Sequence, residues 1–328
     1  MSSAWWLLAL AIAAPVYAQN TAPATTSDRA DVPLRVTLLG TGRPDPRMDR
    51  FGPSTLVEAG GETLLFDCGR GAAQRLWQLG IPLSRVGAVF FTHLHSDHTV
   101  GFPDLWLTGW LPTPFGGRAT SLGLLGPPGT RAMADGLKQA FAWDIDRRGR
   151  GEGLPEGGAV LDAQDVRPGL VFERSNVRVT AFLVDHGGLL EPAYGYRVDY
   201  AGRSVVISGD TRPSDNLVTA AAGADVVVHE VIAAPPALLE QSETARRIVG
   251  FHTLPEDAGR IFARVRPRLA VYTHVVLLTT DPKFPPPDVG ELVSRTRTTY
   301  DGPLEIGEDL MVIEIGPEIR VHRGTPLR

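Results

Sequence analysis

The apolar run VGAVFF (Val86 to Phe91) passes directly into THLHSDH, which puts three of the chain's eight histidines and an aspartate within six residues. A short unbroken apolar run bounded by turn signals reads as a strand buried on both faces. Ring nitrogens and a carboxylate crowded at its end need partners that a packed core does not supply. The chain must therefore cover this strand with other layers while its end opens onto a polar site.

The remaining sequence contains such layers. Strands are predicted at Leu34 to Gly42 and across Ser54 to Gly69, the second a hairpin turning at Gly60-Gly61. SLGLLG, VRVTAFLVD, AYGYRVDY, RSVVIS, ADVVVHEV and RLAVYTHVV read the same way, and a last hairpin turns at Gly316-Pro317. Helices are predicted over Gly71 to Gly80, Arg131 to Phe141 and Leu254 to Val265. Elements mixed in this way define an α/β (α+β) protein with sheets covered by helices. With 328 residues, 43% of them hydrophobic, the chain can bury one large core or two small ones. Trp143 to Gly158 reads as a Gly-, Pro- and charge-rich insertion, and Thr279 to Asp288 as a Pro-rich linker.

On an extended strand end, residues two apart point the same way, so His93 and His95 converge on one point. Asp97 and His98, where the chain turns into a helix, face a second point nearby. Imidazole and carboxylate without thiolate suit Zn²⁺, with Fe and Mn open. Three more candidates follow apolar runs and are expected where a strand gives way to a loop: His186 in LVDHGG, Asp210 in VISGDT and His274 in VYTHVV. Together they complete two shells. His93, His95 and His186 serve one metal, Asp97, His98 and His274 the other, and Asp210 bridges both. Two Zn²⁺ ions so held would turn a shared water into the nucleophile and stabilise an anionic transition state.

Charge and the N-terminus bear on substrate and location. Lys and Arg number 32 against 37 Asp and Glu, a net charge of -5, so the basic excess of a nucleic-acid binder is missing. An apolar run from Trp5 to Ala14, a Pro15 breaker and Val16-Tyr17-Ala18 fit a cleaved signal peptide over residues 1–18. Residues 19–33 then form a polar tether and 34–328 the catalytic domain, periplasmic or secreted. The run is short for a membrane span, so no stable membrane insertion is expected after cleavage. Cys68 is the only cysteine, which excludes an intrachain disulfide and reads as a packed thiol.

From LLGTGRPDPRMDRFGPSTLV through FDCGRG, IPLSRVGAVFFTHLHSDHTVG, GPPGT, SGDTRPSDNLV, GADVVVHE and FHTLPEDAGRIFARVRPRLAVYTH, the chain resembles the metallo-β-lactamase superfamily. Within it, the resemblance is to the ribonuclease Z and arylsulfatase branch. It implies a four-layer αββα sandwich with a dinuclear site on one edge, the ligand roles above, and a homodimer. His252 in GFHT, 22 residues before His274, matches an extra histidine of the ribonuclease Z branch. It would act at the leaving oxygen as general acid or cationic hydrogen-bond donor; a histidine that only caps a helix is the plainer reading. Glu230 in VVHEV would orient it. Because His229 and Glu230 alternate across a strand, only one of them faces the site. Asp97, His252 and Glu230 are thus the candidate catalytic residues. Ser208 and Thr211 either support the site or are polar turn residues, and Arg147, Arg148 and Arg150 either reach an anionic substrate or form a solvated charge run.

Ribonuclease Z grips tRNA with a long arm, inserted in the bacterial form between the third histidine ligand and the bridging aspartate. Here only 24 positions separate His186 from Asp210, and they read as a plain hairpin. The expected function is accordingly an exported dinuclear zinc hydrolase of sulfate or phosphate esters, arylsulfatase- or phosphodiesterase-like. Its substrate would be a small anionic ester, with no nucleic acid. The alternatives are a ribonuclease Z-type endonuclease, a lactonase or β-lactamase, and a catalytically silent metal-binding envelope protein.

Overall fold

The computed structural model describes residues 34–188 and 192–324; the signal peptide and tether expected at residues 1–33 lie outside the described residues. The chain first builds one sheet from β1 (Leu34–Gly40), β2 (Ser54–Ala59), β3 (Glu62–Phe66), β4 (Ala88–Phe90), β5 (Leu122–Gly126) and β6 (Leu161–Asp165), with β3 to β6 parallel. A second sheet follows in sequence order: β7 (Gly169–Arg174), β8 (Val177–Val184), β9 (Ala193–Tyr200), β10 (Arg203–Ile207), β11 (Val226–Ala233), β12 (Leu269–Leu277) and β13 (Leu304–Ile306). Then β14 (Met311–Ile315) and β15 (Ile319–His322) return to the first sheet, where β14 pairs antiparallel with β1.

Local chemistry explains these elements. Gly60 and Gly61 have φ of 57° and 83°, the left-handed backbone that a two-residue hairpin loop needs, so the β2–β3 turn falls where predicted. In β1, Leu34, Val36 and Leu38 alternate inward; with Phe66, Phe90, Tyr196, Val226 and Val228 they form the core between the two sheets. Phe66 and Phe90 stack there with centroids 4.9 Å apart.

Helices cover both outer faces. Behind the first sheet pack α1 (Ala72–Gln78), α3 (Phe102–Trp110) and α4 (Thr130–Ala140), with the short α2 (Ser96–Thr99) between the first two and α5 (Ala142–Asp146) following the last. Behind the second lie α6 (Asp215–Ala220), α9 (Pro255–Val265) and α10 (Val289–Thr296), while α7 (Pro236–Gln241) and α8 (Glu243–Val249) form a smaller cluster beside it. Helix α9 shows the logic: Pro255 opens it, Glu256 and Asp257 sit in its first turn, and Ala258, Ile261, Phe262 and Val265 make its buried stripe. The architecture is the expected αββα sandwich.

The insertion at 143–158 is more ordered than expected. Helix α5 runs into a π-helical turn at Arg147–Gly151, and a 3-10 turn follows at Glu156–Ala159. Its arginines are engaged locally: Arg148 pairs with Asp144 and Glu152, Arg150 with Asp146, and Arg147 lies over the Trp143 ring. They form the solvated charge run.

Candidate metal centre

The polar cluster sits where the ends of β4, β8 and β10 meet the middle of β12. Strand β4 stops at Phe90, so His93 and His95 lie three and five residues beyond it rather than on the strand itself. Their facing nitrogens still converge, with His93 Nε2 and His95 Nδ1 3.0 Å apart. His95 caps α2, whose first turn carries Asp97 and His98. His186 follows β8 and Asp210 follows β10.

His274 departs from expectation. It lies inside β12, where the pairing with β11 slips between Glu230 and Val231, and its own φ is 41°. A bulge of this kind re-aims one side chain while the strand continues on either side. Left-handed backbone at a residue with a Cβ costs on the order of 1 kcal/mol and persists only where its surroundings hold it.

Asp210 is the hub. Its Oδ2 stands 3.4 Å from His98 Nε2, 3.4 Å from His274 Nε2, 3.8 Å from His186 Nε2 and 3.9 Å from His93 Nε2. Asp97 Oδ2 lies 3.3 Å from His274 Nε2 and 3.6 Å from His98 Nε2. Donor atoms within 4.8 Å of one another group His93, His95 and His186, then Asp97, His98 and His274, with Asp210 reaching toward both groups. These seven residues could hold metal ions, and the same spacing also groups His252 with His186 and Asp210, and with Glu230 and His274.

The sequence pattern did not single out Asp67. This carboxylate follows β3 at φ 57° and accepts His98 Nδ1 at 2.8 Å. It also accepts the Thr92 amide at 2.8 Å and the Thr92 hydroxyl at 2.9 Å, and that hydroxyl stands 3.0 Å from His93 Nδ1. One buried carboxylate therefore fixes two candidate ligands through their outer nitrogens, and the Phe251 carbonyl does the same for His186 Nδ1 at 2.9 Å. The available signal was an acidic residue between an apolar strand and a glycine, FDCG, beside the strand that feeds the histidines.

The donor set fits a divalent cation. His98 Nε2, His186 Nε2 and Asp210 Oδ1 are buried with no hydrogen-bond partner among the described residues, and such atoms are costly unless something meets them. The field has the right sign as well. Although burial opposes it, Asp210 and Asp67 push His98 well above the usual histidine range.

Glu230 faces the site and His229 turns away against Phe262. Glu230 Oε2 stands 3.4 Å from His252 Nδ1, while Oε1 accepts the amides of Thr253 at 2.8 Å and Thr211 at 3.3 Å. Ser208 Oγ accepts the Glu230 amide, so Ser208 holds the backbone of Glu230 while the Thr211 amide holds its carboxylate. Burial alone would lower His252; the negative charge of Glu230 outweighs it and, with that of Asp210, pushes His252 up to about 9. A cavity of about 400 Å³ opens onto the cluster, with His95, His186, His252 and His274 in its lining beside Phe251 and Leu278.

Fold and site define a metal-dependent hydrolase of ester or phosphodiester bonds. Residues 62–275 match the Beta-lactamase superfamily domain, and the chain belongs to the metallo-β-lactamase superfamily, in its ribonuclease Z branch. Ribonuclease Z of Mycolicibacterium gilvum (strain PYR-GCK) is 34% identical over 286 residues, spanning 87% of this chain and 98% of that protein. Ribonuclease Z of Mycobacterium bovis (strain BCG / Pasteur 1173P2) is also 34% identical, over 87% of this chain and 99% of its own length. The fold is shared with human tRNase Z, short form, at a TM-score of 0.63 and 24% identity over 86% of this chain and 99% of that one. It is shared too with the metallo-beta-lactamase fold protein YhfI from Bacillus subtilis, at a TM-score of 0.65 and 17% identity over 86% and 98% of the two chains.

These relatives overturn the expected partners. The small anionic ester and the exclusion of nucleic acid rested on an acidic chain, a missing arm and the expected export signal. Proteins named as ribonucleases match nearly the whole chain across 98% or more of their own length. The arylsulfatase reading has no support among them, and the endonuclease alternative is the better one.

Proposed function

We propose that the protein is a ribonuclease Z-type endonuclease that hydrolyses RNA phosphodiesters with two Zn²⁺ ions. His93, His95 and His186 would hold one ion, Asp97, His98 and His274 the other, and Asp210 both. The observation that carries this reading is Asp210 Oδ2 within 3.9 Å of four imidazole Nε2 atoms, beside the His252–Glu230 pair. The names and extents of the relatives support RNA as the substrate. Cations held there would supply Lewis acidity toward the phosphoryl group and make a water more acidic.

The chain's own groups do the rest. Asp67, Thr92 and the Phe251 carbonyl fix the tautomers of His98, His93 and His186, so that each keeps Nε2 for a cation. Glu230, itself held by two backbone amides, stands 3.4 Å from His252 Nδ1 and favours its protonated form, from which His252 would pass a proton to the leaving oxygen. The test is cleavage of a 3′-extended structured RNA by zinc-loaded protein, before and after chelation, with Asp210→Ala as control. Cleavage that chelation and the substitution both abolish is expected. Metal-loaded protein that leaves RNA intact while hydrolysing aryl sulfates would overturn the reading.

A further inference from the structure

The cavity over the metal centre joins two chemistries. Beside the candidate ligands it is walled by Pro44, Ile248, Phe251, Val276 and Leu278, all apolar. At about 400 Å³ it lies near the small end of ligand pockets, which run from about 300 to 1,000 Å³, a size that suits a single nucleotide.

Phe251 is placed as no core residue is. It belongs to none of the apolar clusters of the described interior and is only half-buried. Its carbonyl is tied to His186 and its ring lies against Gly187, where an added Cβ would come within 2.8 Å of the ring. The ring is thereby preset 6.3 Å from the His186 ring, centroid to centroid. Arg43 and Asp45 add a charged edge to the same cavity.

Resting on the RNA-cleaving reading above, we propose that Phe251 is the seat of a nucleobase. The base of the nucleotide beside the scissile phosphate leaves its own stack and lies on the Phe251 ring, walled by Ile248 and Leu278, while its phosphate faces the metal ligands. Every base has a π-face, so the seat selects an unpaired nucleotide without selecting its identity. Stacking of this kind is worth roughly 10- to 100-fold in binding.

The test uses the zinc-loaded enzyme and short single-stranded oligoribonucleotides that carry a base or an abasic sugar on one side of the cleaved bond, each side taken in turn. Wild-type protein should favour the base-bearing substrate on one side by roughly 10- to 100-fold in kcat/KM, chiefly through KM. Phe251→Ala should bring that ratio close to one, and Phe251→Trp should keep it. Zinc content measured on each variant shows that the centre is intact. If Phe251→Ala slows both substrates alike and leaves the ratio unchanged, the ring only shapes the pocket and the inference fails. Wild-type protein that cleaves none of the oligonucleotides yet hydrolyses bis(4-nitrophenyl) phosphate would instead remove the RNA reading, and the base seat with it.

Discussion

At the level of single residues, the site is governed by carboxylates that touch no substrate. Asp67 orients His98 directly and His93 through Thr92, so Asp67→Asn should lower zinc affinity by about 10- to 100-fold while the fold persists. Competition against a chelating dye measures this, and unchanged affinity would show that Asp67 serves only the backbone of Thr92. His252 makes the complementary case. Removing it should cost on the order of 10² to 10⁴ in kcat for an RNA leaving group, and far less for a nitrophenolate ester whose departing oxygen needs no proton. Zinc content should not change, since His252 is no ligand in this scheme; a loss of metal would make it one. The seven ligand candidates could be read from sequence because each is a polar residue standing out from an apolar run. Asp67 could not, because its role depends on β3 lying beside β4, and that neighbour relation is tertiary.

Among the helices behind the second sheet, α9 lies nearest the site in sequence, because its N-terminus follows closely on His252 and Thr253. Phe262 anchors it, fully buried against Tyr272 and Tyr300. Phe262→Ala should destabilise the protein by about 3 to 5 kcal/mol. Chemical denaturation would show it as a lower midpoint with the slope retained, and a loss under 1 kcal/mol would mean that the layer repacks around the gap. Hairpin turns and the helix stripe were readable in advance because a glycine pair and a 3.6-residue period are local signals. The bulge at His274 was not, since it is written in the slipped pairing of β12 with β11 and each strand alone looks regular. The helical turns at 147–159 were hidden by their glycines and prolines, which mark loops far more often than they mark helix.

For the molecule as a whole, net charge was a poor guide to substrate. An acidic total of -5 averages over the entire surface, whereas a phosphodiester meets only the few groups around one cavity. Location is tested separately from substrate, and we propose export, with the mature chain beginning at or near Gln19. N-terminal sequencing of the native protein decides it, and an intact Met1 on a cytoplasmic protein would refute it. No helix among the described residues is long and apolar enough to cross a membrane. The strand order carries a final implication, for synthesis. Leu34 pairs with Ile315, 281 positions later, and the ligand candidates run from His93 to His274. A nascent chain on the ribosome thus holds an incomplete metal shell until residue 274 emerges, and an unclosed first sheet until β14 follows. Such long-range closure is slow relative to local folding. The candidate ligands are therefore brought together late, whichever side of a membrane the chain folds on.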